Sequence, residues 1–335
     1  MEEQMENIDL KSAKSTFSRI GIALILFHAV TYVAQRATLI LIKTFAPELV
    51  GTTLPPLVSM TISAVTMYII ALPVYYYFLK KLPTDAPGKA NCGINIIWIC
   101  FLMSVAISYF GGMIGSTVAG FVYDIAGTVV DSGTIEFISS MKWHEAFLIT
   151  AIIGPLAEEF MFRKVIIDRT RAYGEKLSLV FSALLFGFFH MSIEQFFYAF
   201  PVGLLLGYLY LRKGKLIYCW IVHALFNLFG TIIPLFLYGL IGTEDLVSAV
   251  MDPEVMQKLM QEYPNEVAAI SFYGLATMVF SITGLVKIFK SMRRVRFEKT
   301  ALELPKDTEA ETAFVNIGII AFIIFAVVYP FIISM

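Results

Sequence analysis

Residues Gly154–Arg163 read GPLAEEFMFR, with adjacent carboxylates at Glu158 and Glu159 and a guanidinium at Arg163. WHEAFLITAII precedes them and KVIID follows, so the flanks describe a membrane span that carries three charges in its second half. Ionisable groups at that depth are expensive, and those that persist are paired and functional. Two later apolar segments repeat the pattern, FGFFH ending at His190 and HALFN opening at His223. The reading of the chain turns on whether these three places meet.

Composition assigns the class. The chain is 58% hydrophobic and 15% charged, with 29 Phe and 15 Met. A mean hydropathy of +0.76 joins these in excluding a soluble globular domain. The expectation is an all-α, polytopic transmembrane helical bundle. With a net charge of -1 and no basic face, a nucleic-acid partner is excluded; the partners expected are the lipid bilayer and a peptide or protein substrate. Cys92, Cys100 and Cys219 are scattered without a CxxC pair and read as apolar filler in helices.

Taken in order, residues 1–19 form a polar tail and 20–42 a first span, interrupted by His28, Gln35 and Arg36. That span is too long for a signal-peptide core and lacks a small-residue cleavage site, so it is expected to be retained. His28 reads as a packing residue, and Arg36 can snorkel to the boundary. The second span, 54–79, ends in YYYFLKKLP, aromatic residues followed by lysines. The third, 94–122, contains FGGMIGSTVAG, suited to close helix packing. A connection over 124–140, with the character of an interfacial helix, leads to spans at 143–167, 177–192, 194–211, 216–241, 267–289 and 313–334. The total is eight to nine, in three regions: N-terminal spans (1–142), a motif-bearing core (143–241) and C-terminal accessory spans (242–335).

Charge tests this division. The N-terminal tail and the loops after even-numbered spans, counted with Arg163, Lys164 and Lys287 at the adjoining span ends, hold twenty-one Lys and Arg, and the alternate loops hold three. That asymmetry predicts a cytoplasmic N-terminus in a multi-pass protein of the plasma membrane.

Spacing then asks whether the motifs converge. Glu158 lies sixteen residues before Gly174 and His190 sixteen after it, so in an antiparallel hairpin turning there the two are level. His223 follows Lys215 by eight residues, ~12 Å into the membrane at 1.5 Å per residue. Glu159 and Arg163 stack at four residues' separation, whereas Glu158 is turned about 100° away. This predicts a structural Glu159–Arg163 pair and a Glu158 free for chemistry. Pro155, helped by Gly154, loosens the helix just before the acids. His223 and Asn227, also four apart, would present an imidazole and an amide to one point. Each motif alone has a packing explanation, and Glu194 and Gln195 read only as headgroup-level polar residues.

Glu158-Glu159-x-x-x-Arg163, Phe186-x-x-x-His190 and His223-x-x-x-Asn227 resemble, in this order, the three motifs of the CPBP intramembrane proteases. That family includes the type II CAAX prenyl endopeptidases and bacterial members linked to bacteriocin processing and immunity. The resemblance covers about residues 143–235. It implies an endopeptidase acting on a membrane-associated or lipidated polypeptide. Glu158 and His190 would activate a water, and His223 and Asn227 would stabilise the oxyanion. Amide hydrolysis needs such a base and such donors, which act most strongly in a dry cavity. Family members are commonly labelled metalloproteases, and Glu158, His190 and His223 could form a two-histidine, one-carboxylate zinc site. HExxH is absent, however, and Asn227 is an ordinary oxyanion donor but an unusual zinc ligand. The expectation is therefore catalysis with no cofactor required, Zn2+ being the alternative. Two other functions remain open: a proton- or ion-coupled transporter using the same ionisable groups, and a non-catalytic bacteriocin-immunity or scaffold protein. Neither inverted repeat halves nor paired broken helices support the transporter.

Overall fold

The computed structural model describes residues 9–49, 55–127, 143–242, 246, 248, 249 and 252–333. Among them every regular element is helical. Helix α1 (Leu10–Phe45) starts well before its apolar stretch, because the Asp9 carboxylate accepts from the amides of Lys11 and Ser12, each at 3.1 Å. Helix α2 (Pro56–Leu79) opens on a proline, which costs no hydrogen bond at a first turn. Helix α3 (Ile94–Ala126) stops at Gly127, whose φ of 63° is the left-handed cap a glycine adopts freely. Then come α4 (143–170), α5 (Glu175–Phe189), α6 (Ile193–Lys213) and α7 (Leu216–Gly239). A short amphipathic α8 (Pro253–Glu262) precedes α9 (Pro264–Met292), α10 (Glu309–Phe314) and α11 (Ile317–Ile333).

Each expected span thus has its helix in an all-α polytopic membrane fold. Five of them, α1, α2, α3, α7 and α9, are long and apolar enough to cross a membrane by themselves. The motif helices α4 and α5 are not in that set; their apolar faces meet protein, with Phe162, Ile166, Phe181, Leu185 and Phe186 all buried. The suggested interfacial connection over 124–140 falls mainly on residues outside the described ones.

Close backbone approach assembles the bundle. A Cβ on Gly284 of α9 would collide with the backbone of Leu102 on α3, and one on Gly318 of α11 with Ser18 on α1. Two cores result. One joins α1, α2, α4, α5 and α11 through Phe17, Phe27, Tyr75, Phe162, Phe181 and Phe322. The other joins α3 to α4–α7 through Ile167, Leu179, Leu206, Tyr210 and Val222. Cys100 and Cys219 are buried in the second core with Cys92 against it, and all three are free thiols. His28 packs as expected, its ring 4.8 Å from Phe189 and 5.8 Å from Phe325.

At one end of the bundle the loops are bound together by charge. Arg171 meets Asp85 at 2.8 Å and Glu175 at 3.1 Å, while Arg212 pairs with Glu175 and with Glu298. The Leu302 and Leu304 amides donate to the Ala172 and Tyr173 carbonyls, each at 3.1 Å. These residues belong to the connections after α2, α4, α6 and α9, which the Lys/Arg count placed on one side. Between α4 and α5 the chain reverses at Gly174, with φ 132°. The α4–α5 hairpin is therefore fixed at its tip and buried along its sides.

Candidate active site

Helix α4 is not uniform. Two π-helical stretches, Phe147–Ile153 and Phe160–Ile167, flank a short α-helical segment, Gly154–Glu159. Pro155 explains the first, since it lacks the N–H that would bond the Ala151 carbonyl and its ring crowds that turn. The widened turn leaves carbonyls open to side-chain donors from α7. Asn227 Nδ2 donates to the Thr150 carbonyl at 2.8 Å and Trp220 Nε1 to the Ile152 carbonyl at 3.0 Å. Residues 220, 223 and 227 share one face of α7, so the imidazole of His223 lies between these two braces.

That imidazole joins both acids. His223 Nδ1–H donates to Glu159 Oε1 at 2.9 Å, and Nε2 stands 3.7 Å from Glu158 Oε2. Behind it, Arg163 Nε is 3.0 Å from Glu159 Oε2, and both side chains are fully buried. This is an ion pair and not an aligned hydrogen bond, and the Arg163 Nη atoms have no hydrogen-bond partner among the described residues. The guanidinium instead lies over the Phe186 ring, 4.8 Å from its centroid. Glu158 remains 21% exposed. One carboxylate is committed to the scaffold and the other faces open space.

His190 terminates α5. Its Nδ1–H donates to the Phe186 carbonyl at 2.9 Å, leaving the Nε2 lone pair without a hydrogen bond among the described residues. Met191 follows with a φ of 50°, unusual for a side-chain-bearing residue and needed for the tight reversal into α6. The Phe186 ring lies 4.9 Å from the His190 ring and 6.0 Å from that of His223, so both imidazoles abut one aromatic side chain.

The geometry therefore brings Glu158, Glu159, Arg163 and His223 into direct contact. His190 approaches through Phe186, and the hydrogen-bonding partner of Glu158's imidazole neighbour is Glu159. Asn227 and His223, stacked on one helix face, point to different acceptors because the π-helical turn offers the amide a carbonyl first. Glu194 accepts from Ser192 Oγ at 2.9 Å and from Tyr123 Oη at 3.3 Å, and the Gln195 amide bonds Ser192 Oγ at 3.2 Å, a helix cap apart from the site. Trp220 was not singled out by sequence; its i, i+3, i+7 spacing with His223 and Asn227 was the available signal. As for zinc, no three His, Cys, Asp or Glu side chains among the described residues stand together as a metal-holding group. Glu158 and His223 converge, while His190, whose Nδ1–H is held by the Phe186 carbonyl and whose Nε2 is free, does not stand with them as a three-ligand group among the described residues.

Comparison with known proteins agrees with the motifs. Residues 141–229 match the family model described as Type II CAAX prenyl endopeptidase Rce1-like. The chain is 24% identical over 181 residues to "Putative membrane peptidase YdiL" of Bacillus subtilis, spanning 51% of this chain and 71% of that protein. It is 31% identical over 93 residues to an uncharacterized protein of Mycoplasma capricolum, covering 26% of each. No solved structure matches the chain. The matched stretch, residues 141–229, contains every motif residue described above and is similar to the Rce1-like type II CAAX prenyl endopeptidases.

Proposed function

We propose that the chain is an intramembrane endopeptidase that hydrolyses a peptide bond in a membrane-associated or lipidated polypeptide. The observation that carries this reading is the position of His223, hydrogen-bonded to buried Glu159 at 2.9 Å and facing Glu158 across 3.7 Å. A water about 2.8 Å from both Glu158 Oε2 and His223 Nε2 fits that gap. Glu158 takes the proton of the attacking water, and the uncommitted His190 Nε2 presents a second acceptor to the same reaction. Glu159, anchored by Arg163, holds His223 so that Nε2 can receive that proton from Glu158 and pass it to the leaving nitrogen. The second N–H of Asn227 is available to the developing oxyanion. No step requires a metal or another cofactor.

Reconstitution of wild-type and Glu158→Gln protein into liposomes tests the reaction class. Release of peptide fragments by the wild type alone supports hydrolysis. Glu158-dependent proton or ion flux without fragments would replace the protease reading with a transporter, and equal behaviour of both proteins with a scaffold.

A further inference from the structure

Tyr68 lies on α2, outside the family-matched residues 141–229, within a π-helical stretch Val65–Ala71. Its hydroxyl oxygen stands 3.2 Å from the position a Cβ on Gly154 would occupy. Gly154 and Glu158 are one turn apart on the same face of α4, about 6 Å between neighbouring positions. The phenol therefore sits against the wall from which Glu158 projects. Tyr68 Oη has no hydrogen-bond partner among the described residues. Of the other donors near Glu158, Trp220 Nε1–H is engaged with the Ile152 carbonyl and His223 Nδ1–H with Glu159. Asn227 spends one of its two N–H groups on the Thr150 carbonyl, so the phenol would join the remaining Asn227 N–H at the oxyanion.

We infer that Tyr68 is a catalytic residue contributed by the N-terminal spans, its phenol O–H donating to the carbonyl oxygen of the scissile peptide as negative charge builds there. The inference rests on the protease reading above. The water oxygen bonds to the carbonyl carbon, its proton passes to Glu158, and the carbonyl π electrons move onto the oxygen that Tyr68 holds. Collapse re-forms the carbonyl and breaks the C–N bond, and the departing nitrogen takes the proton. The phenol keeps its own proton throughout. A methyl group on Gly154 would press on the hydroxyl, 3.2 Å away, as well as on the Ile149 carbonyl oxygen at 3.0 Å.

The test uses membrane peptides that wild-type protein releases and Glu158→Gln does not, with steady-state kinetics on one of them. Tyr68→Phe removes only the hydroxyl and should lower kcat by ~100-fold or more, the scale for loss of one oxyanion donor, with KM and the melting temperature unchanged. If Tyr68→Phe fails to fold, a fluorinated tyrosine at position 68 decides, because it keeps the ring and hydroxyl but ionises at lower pH, so kcat should fall at a lower pH than in the wild type. Wild-type kcat in the folded variant, or a loss confined to KM, overturns the role of Tyr68 and leaves the protease reading intact. Absence of any Glu158-dependent product removes both.

Discussion

Glu158 and Glu159 are adjacent, yet Glu159 is fully buried between Arg163 at 3.0 Å and His223 at 2.9 Å, whereas Glu158 is 21% exposed and 3.7 Å from the same imidazole. The 100° step between helix neighbours separates them: one side chain enters the bundle and the other faces the space where a substrate would lie. This asymmetry predicts how the two acids respond to substitution. Glu159→Gln or Arg163→Leu strands a buried charge and should cost ~3–5 kcal/mol. Glu158→Gln should alter stability little. Thermal melting of the three variants in detergent measures this, and a Glu158→Gln protein that alone unfolds would reverse the assignment.

The brace from α7 to α4 makes a second prediction. Trp220→Phe removes the donor to the Ile152 carbonyl, which stands 3.0 Å from Nε1. It should destabilise by ~1–3 kcal/mol, the cost of leaving a buried carbonyl unpaired. Melting in detergent reads this directly; an unchanged midpoint would show that the carbonyl finds another donor.

Helix contacts at single glycines predict steric failure. Gly284→Leu on α9 would drive its side chain into the Leu102 backbone of α3. Overpacking of that kind costs ~1–3 kcal/mol, and a backbone obstacle cannot rotate away. Size-exclusion profiles and melting of Gly284→Ala and Gly284→Leu should worsen in that order.

Sidedness follows from the ion-pair end of the bundle. The loop with Arg293, Arg294 and Arg296 leads to Glu298, which pairs with Arg212 at 3.0 Å and so shares a side with Asp85 and Arg171. We expect that side to be cytoplasmic and residues 244–266 to be outside. Single cysteines in each segment, in a background lacking Cys92, Cys100 and Cys219, should be labelled by an impermeant reagent in the second segment only. Labelling of the arginine-rich loop alone in intact cells contradicts the topology.

Much of this arrangement was legible in the sequence because it depends on local spacing. Four residues between Glu159 and Arg163 give a stacked pair in any helix, Gly174 marks a reversal, and alternating basic loops sort the ends of the spans. What escaped depends on tertiary contact. The π-helical turns around Pro155 change which carbonyls are open, and so divert Asn227 to Thr150. Trp220 and Tyr68 lie on apolar helices where indole and phenol groups look like ordinary interfacial residues. Nor does spacing reveal that His190, a chain reversal away from Glu158, spends its Nδ1–H on Phe186. Burial of α4 and α5 among the surrounding helices is a property of the assembly.

Metal dependence has its own test. A water activated by protein groups alone predicts that chelators leave cleavage intact and that purified active protein lacks stoichiometric zinc. Zinc whose removal stops cleavage and whose return restores it would overturn that choice, with Glu158, His190 and His223 as its ligands.

The most direct measurement is hydrolysis in water enriched in heavy oxygen. Membranes containing wild-type protein should release peptides carrying one heavy oxygen in the new terminal carboxylate, as water addition to the carbonyl demands. Glu158→Gln membranes, with protein folded to the same melting temperature, should release none of them. The same labelled peptides from Glu158→Gln at the wild-type rate would contradict Glu158 as the base.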